Sequence, residues 1–150
     1  MSEEKNLPFF HCPVARSVDV IGDRWSLLIV RDVFDGICRF GTLQSSLGIA
    51  RNILADRLRK LVNAGILHTR QATDGTAYQE YALTEEGETL FPVIVALRQW
   101  GEKHLFAPGE RHSLLIETNS GAPIPFMQPR DSAGQVLMPA ATKVVRITSE

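Results

Sequence analysis

The chain predicts a mainly α fold with a small β component (α+β), and three observations carry that expectation. Residues 41–64 read as two short helices broken at Gly48. Two strand-like runs follow, split by Thr73-Asp74-Gly75, and a long helical stretch then opens at Thr84. In the first of these segments Leu43 and Leu47 lie four apart, and Leu54, Leu58, Leu61 and Val62 repeat at the 3.6-residue period, so each helix has one stripe to bury. The residues left outside on the second helix include Arg51, Asn52, Asp56, Arg59, Lys60 and Asn63. Most of these are side chains that hydrogen-bond to phosphates and base edges. That is the pattern of a helix-turn-helix whose second helix enters a DNA major groove.

The other elements fall into order around this motif. Cys12-Pro13 starts a first helix, because proline suits the first helical position, and Val14, Val18 and Ile21 give it an apolar stripe that Gly22 ends. Asp23 is a fitting N-cap for a second helix, in which Trp25, Leu28, Ile29 and Phe34 cannot all be exposed; Asp35-Gly36 closes it. Residues 37–40 read as a short strand leading into the motif. After Gly65, residues 66–71 and 76–83 form a predicted hairpin. Placed directly after a basic helix, such a hairpin is a wing, with Arg70 at its entry facing the DNA backbone or minor groove.

Thr84 then caps a helix expected to run to about Leu105, with Glu85 and Glu86 at the positive end of its dipole. Pro92 inside it predicts a kink over residues 88–91. Phe91, Val95, Leu97 and Trp100 give more apolar surface than one small core needs, which predicts a homodimer presenting two reading helices to one DNA face. From Ala107 onward the chain carries five of its eight prolines, with short strands expected at 114–117, 124–127, 135–138 and 142–148. The expected organisation is a winged helix-turn-helix DNA-binding and dimerisation domain over residues 1–106 and a β-rich appendage over 107–150.

A formal net charge of only −1 argues at first against a nucleic-acid binder. Its distribution reverses that impression. Residues 36–70 hold six Lys or Arg and a lone acid, Asp56, which leaves the remainder near −6. No apolar run is long enough to span a bilayer, and Met1-Ser-Glu-Glu-Lys5 is acidic rather than leader-like, so a cytoplasmic protein without a membrane partner is expected. Two cysteines, Cys12 and Cys38, make neither a disulfide framework nor a zinc spacing, and His11, His68, His104 and His112 are scattered. No phosphate loop, dinucleotide fingerprint, nucleophile elbow or carboxylate pair is present. Neither an enzyme nor a bound cofactor or metal is expected.

The candidate DNA-binding residues are Thr42 and Gln44 on the first helix of the motif, Arg51, Asn52, Asp56, Arg57, Arg59 and Lys60 on the second, and Arg70 on the hairpin. Asn52, near the start of the second helix, suits an adenine edge, while Arg51 and Arg59 suit guanine or phosphate. Two alternatives stay open: Arg57 pairs with a carboxylate inside the protein, and Asp56 orients a neighbouring Arg. A charged helical face is commonly no more than solvated; here the Gly48 turn and the hairpin on either side favour DNA. Cys12 stands at a helix N-terminus near His11 and Arg16, where the dipole and positive neighbours favour the thiolate. A reactive thiol and a thiol packed into a dimer contact both stay open, as do a mixed disulfide with Cys38 and a small-molecule effector held between Trp25 and Trp100.

Several strings taken together resemble the HxlR-type family of bacterial transcription regulators, relatives of the MarR group. They are Cys12-Pro-Val-Ala-Arg16, Val20-Ile-Gly-Asp-Arg-Trp25, Arg39-Phe-Gly-Thr-Leu-Gln44, Leu47-Gly-Ile-Ala-Arg-Asn52, Asp56-Arg-Leu-Arg-Lys-Leu61 and Tyr81-Ala-Leu-Thr-Glu-Glu-Gly87. The resemblance covers about the first two thirds of the chain and implies homodimers on short palindromic operators. It also implies, for some members, an oxidant- or electrophile-sensing thiol at the place of Cys12. Two departures stand out. Ala50 replaces the usual Ser cap of the recognition helix, where capping is worth about 1 kcal/mol. The tail also lacks the paired cysteines that some long relatives carry. The rival function is a winged helix used only for protein contact.

Overall fold

The computed structural model of the chain describes residues 11–147. The acidic N-terminal stretch and the end of the last expected strand, Thr148, lie outside the described residues. The chain divides into two compact units, one reaching Ile94 and the other beginning at Val95.

The first unit is a winged helix-turn-helix. Helix α1 (Pro13–Ile21) starts behind Cys12, whose sulfur accepts the Ala15 N–H at 3.4 Å. Helix α2 (Arg24–Phe34) is capped by Asp23, which accepts the Ser26 N–H at 3.0 Å. Helix α3 (Phe40–Leu47) ends at Gly48, whose φ of 61° is the left-handed conformation that lets the chain turn sharply into α4 (Arg51–Asn63). Ala50 provides no side-chain cap to α4.

The antiparallel hairpin pairs β1 (Leu67–Gln71) with β2 (Gln79–Leu83), in the register Leu67 to Leu83 through Gln71 to Gln79. Thr84 then caps the short helix α5 (Glu85–Glu88), accepting the Gly87 N–H at 2.9 Å. Gly87 is there because its backbone nearly touches β1's entry: a Cβ at that position would lie 2.1 Å from the Ile66 carbonyl oxygen.

The core collects the stripes read from the sequence. Ile29, Val30, Leu43, Leu54, Leu58, Leu61 and Leu67 are at most 1% exposed, and α2 lies against α3, α4 and β2 at once. Each such aliphatic side chain contributes about 1.5–3 kcal/mol on leaving water. A polar contact lies at the edge of this core: Asp32 of α2, only 2% exposed, accepts from Arg31 at 2.7 Å and from the Ser46 hydroxyl at 2.7 Å. It ties α2 to α3 with its charge matched.

Four expectations are corrected. Residues 37–40 form no strand: Phe40 already begins α3, and among the described residues the segment's backbone tie to the hairpin is a single bond from Tyr81 N–H to the Cys38 carbonyl at 2.8 Å. The second hairpin strand starts at Gln79 rather than at residue 76, because Asp74 turns back onto Thr76 N–H and hydroxyl at 3.0 and 2.7 Å.

The long helix is not continuous either. It breaks at Thr89-Leu90 into α5 and α6 (Phe91–His104), since Pro92 has no N–H to carry the ladder across. The tail's strands reduce to two single bridges, Ile116 with Pro123 and Arg130 with Val136, and a 3-10 turn at Pro139–Ala141.

The expected stripe of α1 is mostly outside, with Val14 at 71% and Val18 at 56% exposure and only Ile21 buried. In the second unit Val95 is buried, while Leu97 and Trp100 of α6 are 50% and 59% exposed. Gln99 holds the following chain against this helix, donating to the Pro125 carbonyl at 3.1 Å and accepting the Met127 N–H at 2.9 Å. Among the described residues no helix is long and apolar enough to cross a membrane.

Leu58 is the middle anchor of α4 and 1% exposed. Leu58→Ala is expected to lower unfolding free energy by about 3 kcal/mol, the usual cost of a buried Leu cavity. Urea denaturation followed by circular dichroism measures it, and a loss under about 1 kcal/mol would contradict the packing described.

Candidate nucleic-acid interface

Burial of Leu54, Leu58 and Leu61 fixes which way α4 faces, and everything polar on the helix is placed by that choice. Arg51, Asn52, Ala55, Arg59, Lys60 and Asn63 are exposed. The side chains of Arg59 and Lys60 are 66% and 64% open to solvent. Arg51 lies over the Phe40 ring at 5.1 Å, which holds its guanidinium beside the start of α3.

Arg57 behaves differently from its neighbours. Its Nε donates to Asp23 at 3.1 Å and its Nη1 to Asp56 at 2.6 Å, with 27% of the side chain exposed. This is the internal carboxylate pairing that the sequence left open. Asp56 also accepts from Arg59 at 2.5 Å and lies 3.3 Å from the Lys60 ammonium, so it orients two further cations. Partial desolvation pushes the Asp56 carboxyl up, and the hydrogen bonds and charges of Lys60, Arg57 and Arg59 outweigh it, leaving it below the ordinary aspartate value.

On α3, Thr42 is exposed, whereas the Gln44 amide donates to the Ile49 carbonyl at 3.4 Å and serves the turn. Arg70 on β1 is half exposed and reaches Glu80 of β2 at 3.4 Å. The same Glu80, 7% exposed, is bound at 3.4 Å by Arg39, a residue not among the sequence candidates. Arg39 also pairs with Asp74 at the hairpin tip and stacks over Tyr78 at 5.0 Å. It latches the wing to the start of α3.

Between wing and helix-turn-helix opens a groove of about 770 Å³, lined among others by Arg39, Thr42, Ser45, Arg51, Tyr78 and Gln79. Arg39 and Tyr78 escaped the sequence reading because their partners lie 35 or more residues away and become neighbours only once the hairpin register is known. The weak signal present was a lone Arg immediately before an uncapped helix start.

Both cysteines are free and half-buried. Burial, and after it the Glu80 carboxylate, push the Cys38 thiol up from its ordinary value, which makes it the less reactive form at neutral pH. Among the described residues no group of three or more His, Cys, Asp or Glu side chains is placed to hold a metal. Trp25 is half-buried, and Trp100 lies exposed beside His104 at 5.2 Å.

A buried-faced helix with its cations outward, preceded by a tight αL turn and followed by a latched hairpin, is the arrangement that the sequence strings announced. The profile of the HxlR-like helix-turn-helix family matches residues 20–108, more than half of the chain. The chain belongs to this family.

Among its HxlR-like relatives, Mb3122 of Mycobacterium bovis, an uncharacterized HTH-type transcriptional regulator, is 44% identical over 95 residues. That match covers 63% of this chain and 60% of Mb3122, so the chain spans less than two thirds of that relative's length. The crystal structure of PA1607, named as a candidate transcription factor, is similar over 97% of this chain and 99% of its own, with 51% identity and a TM-score of 0.86. The redox regulator HypR in its oxidised form is similar over 64% of this chain and 100% of its own, with 33% identity and a TM-score of 0.58. The HxlR-like family is thus one of helix-turn-helix transcription regulators and not of enzymes.

The wing latch has a pH signature. Hydrogen bonds from Thr76, then that from Arg39, hold the Asp74 carboxyl well below the ordinary value of 3.8. Because the folded value is the lower one, the latch supports the hairpin above pH 3.8 and that support is lost as pH falls below it. An NMR titration of the Asp74 carboxylate is expected to show a midpoint well under 3.8; a midpoint at 3.8 or higher would mean that the latch is open in solution.

Proposed function

We propose that this HxlR-like chain is a sequence-specific DNA-binding regulator that acts as a homodimer on a pseudo-palindromic operator, as a repressor competing with RNA polymerase. The observation that carries the reading is the outward cationic face of α4, held open by the three leucines beneath it. In each subunit α4 enters one major groove, with half-sites about one helical turn apart. Asn52 and Arg59 face base edges, Arg51 and Thr42 the phosphates beside the groove, and Arg39 and Arg70 set the hairpin against the flank. Gln44 and Arg57 act from behind, one holding the turn and the other the helix.

Dimerisation is supported by the apolar side chains left outside on α1 and α6: Val14, Val18, Leu97 and Trp100. Residues 1–106 then carry DNA binding and dimerisation, and residues 107–150 form an appendage. Cys12 is the thiol through which oxidants or electrophiles change operator affinity. Its support is the helix-start position, where the sulfur accepts a backbone N–H, together with the likeness to HypR. The setting is the cytoplasm, with DNA, a second copy and an oxidant or small-molecule effector as partners, and no cofactor.

Selection of bound fragments from random duplexes is expected to return an inverted repeat with half-sites about one turn apart. Recovery of no enriched sequence would overturn the reading. Arg59→Ala is expected to weaken operator binding by about tenfold or more, as loss of a base or phosphate contact does. Titrations on matched and mismatched operators separate these two roles, and no change on either removes Arg59 from the interface. Peroxide or quinone is expected to shift the affinity of the wild type and leave Cys12→Ser unmoved. An equal response in both proteins would end the sensing role.

A further inference from the structure

The outward stripe of α4 has an acid at its middle. Asn52, Asp56, Arg59 and Asn63 recur at i, i+4, i+7 and i+11, one line along the helix and opposite Leu54, Leu58 and Leu61. Asp56 is also the lone acid between residues 36 and 70. Three cations share its two oxygens: Oδ1 accepts from Arg59 at 2.5 Å, Oδ2 accepts from Arg57 at 2.6 Å, and the Lys60 ammonium is 3.3 Å from Oδ2.

The three are not equivalent. Arg57 is anchored from behind by Asp23 and largely covered, so it belongs to the scaffold. Arg59 and Lys60 are about two-thirds exposed, and among the described residues their long side chains are tied down only at Asp56. Such pairs on a helix surface stabilise it only slightly. That is too little to explain why an anion should stand on the face meant for DNA.

Toward a duplex, a carboxylate at that position does two things. It occupies the cations that phosphates would take, and its own charge repels the phosphate backbone. Within the major groove it is repelled by the acceptor edges of guanine N7 and O6 and thymine O4, and it matches the amino donor of cytosine N4.

We propose that Asp56 is the specificity-setting residue of the recognition helix, withholding Arg59 and Lys60 from the phosphates of arbitrary DNA and releasing them where a cytosine amino group meets its carboxylate. This rests on the DNA-binding reading above and adds to it a division of labour. The cations supply attraction, and the acid decides where that attraction may be used. The charge clamp lowers non-specific affinity more than operator affinity, which raises their ratio, the quantity that matters against a genome of competing sites.

The test compares wild type and Asp56→Asn on two probes, the selected operator and a random-sequence duplex, over a series of salt concentrations. Asn keeps the size and one acceptor oxygen and removes the charge. Random-duplex affinity is expected to rise about tenfold near 0.1 M salt, with the log–log salt slope steeper by about one per subunit as freed cations reach phosphate. The operator-to-random ratio is expected to fall by about tenfold or more.

In the double variant Asp56→Asn/Arg59→Ala most of the gain on random duplex should disappear, because the released Arg59 carries it. Asp56→Ala, a better helix former, supplies the same comparison should the Asn protein melt early. An unchanged ratio in the single variants, or a random-duplex affinity that falls, overturns the inference while leaving the DNA-binding reading intact. A wild type that binds neither probe overturns both.

Discussion

The dry underside of α4 is the constraint on which the rest depends. Leu54, Leu58 and Leu61 have no exposed position available to them, and α2 beneath supplies Ile29 and Val30 as their floor. With 100° between successive residues, burying those three settles the direction of every other side chain on the helix. The cations are therefore outside by geometry and not by a preference of their own. The part-buried bridge from Asp32 to Ser46 extends the same control to α3, so both helices of the motif are referenced to α2.

Most cations of the motif and the hairpin are paired or stacked within the chain. Arg39 holds Asp74 and Glu80, Arg70 reaches Glu80, Arg57 spans Asp23 and Asp56, and Arg51 rests on Phe40. Exposed pairs of this kind are worth little as stabilisers, typically below about 1 kcal/mol. Their effect here is placement: long side chains are held near the positions where phosphates and bases would meet them, at lower entropic cost on binding. The two mostly covered arginines, Arg39 and Arg57, act on the shape of the face. Arg59 and Lys60, open and held among the described residues only by Asp56, have the most freedom to change partner.

Much of this was legible in the sequence because the decisive signals are local. The leucine periods gave both helices of the motif; Asp23 and Thr84 marked their helix starts; Gly48 and the Thr73-Asp74-Gly75 turn marked the breaks. Pro92 located the interruption of the long helix to within a residue or two. What the sequence could not carry is pairing between distant segments. The Arg39 latch depends on the hairpin register, and the missing strand at residues 37–40 depends on α3 starting at Phe40, which no cap residue announces. In the tail, β-rich composition promised ladders, yet frequent prolines leave too few N–H groups in register for more than single bridges. On α4, spacing listed the polar residues and could not tell which were turned inward; Arg57 is the case in point.

The polar face of α4, in the folded protein, is the surface proposed to meet a duplex. Amide chemical-shift mapping on titration with a selected operator duplex addresses this directly. The largest perturbations are expected across residues 51–63, with a second set on the hairpin around Arg70 and Tyr78, and little change at the buried leucines. Perturbations confined to other surfaces, or none with the duplex in excess, would contradict it.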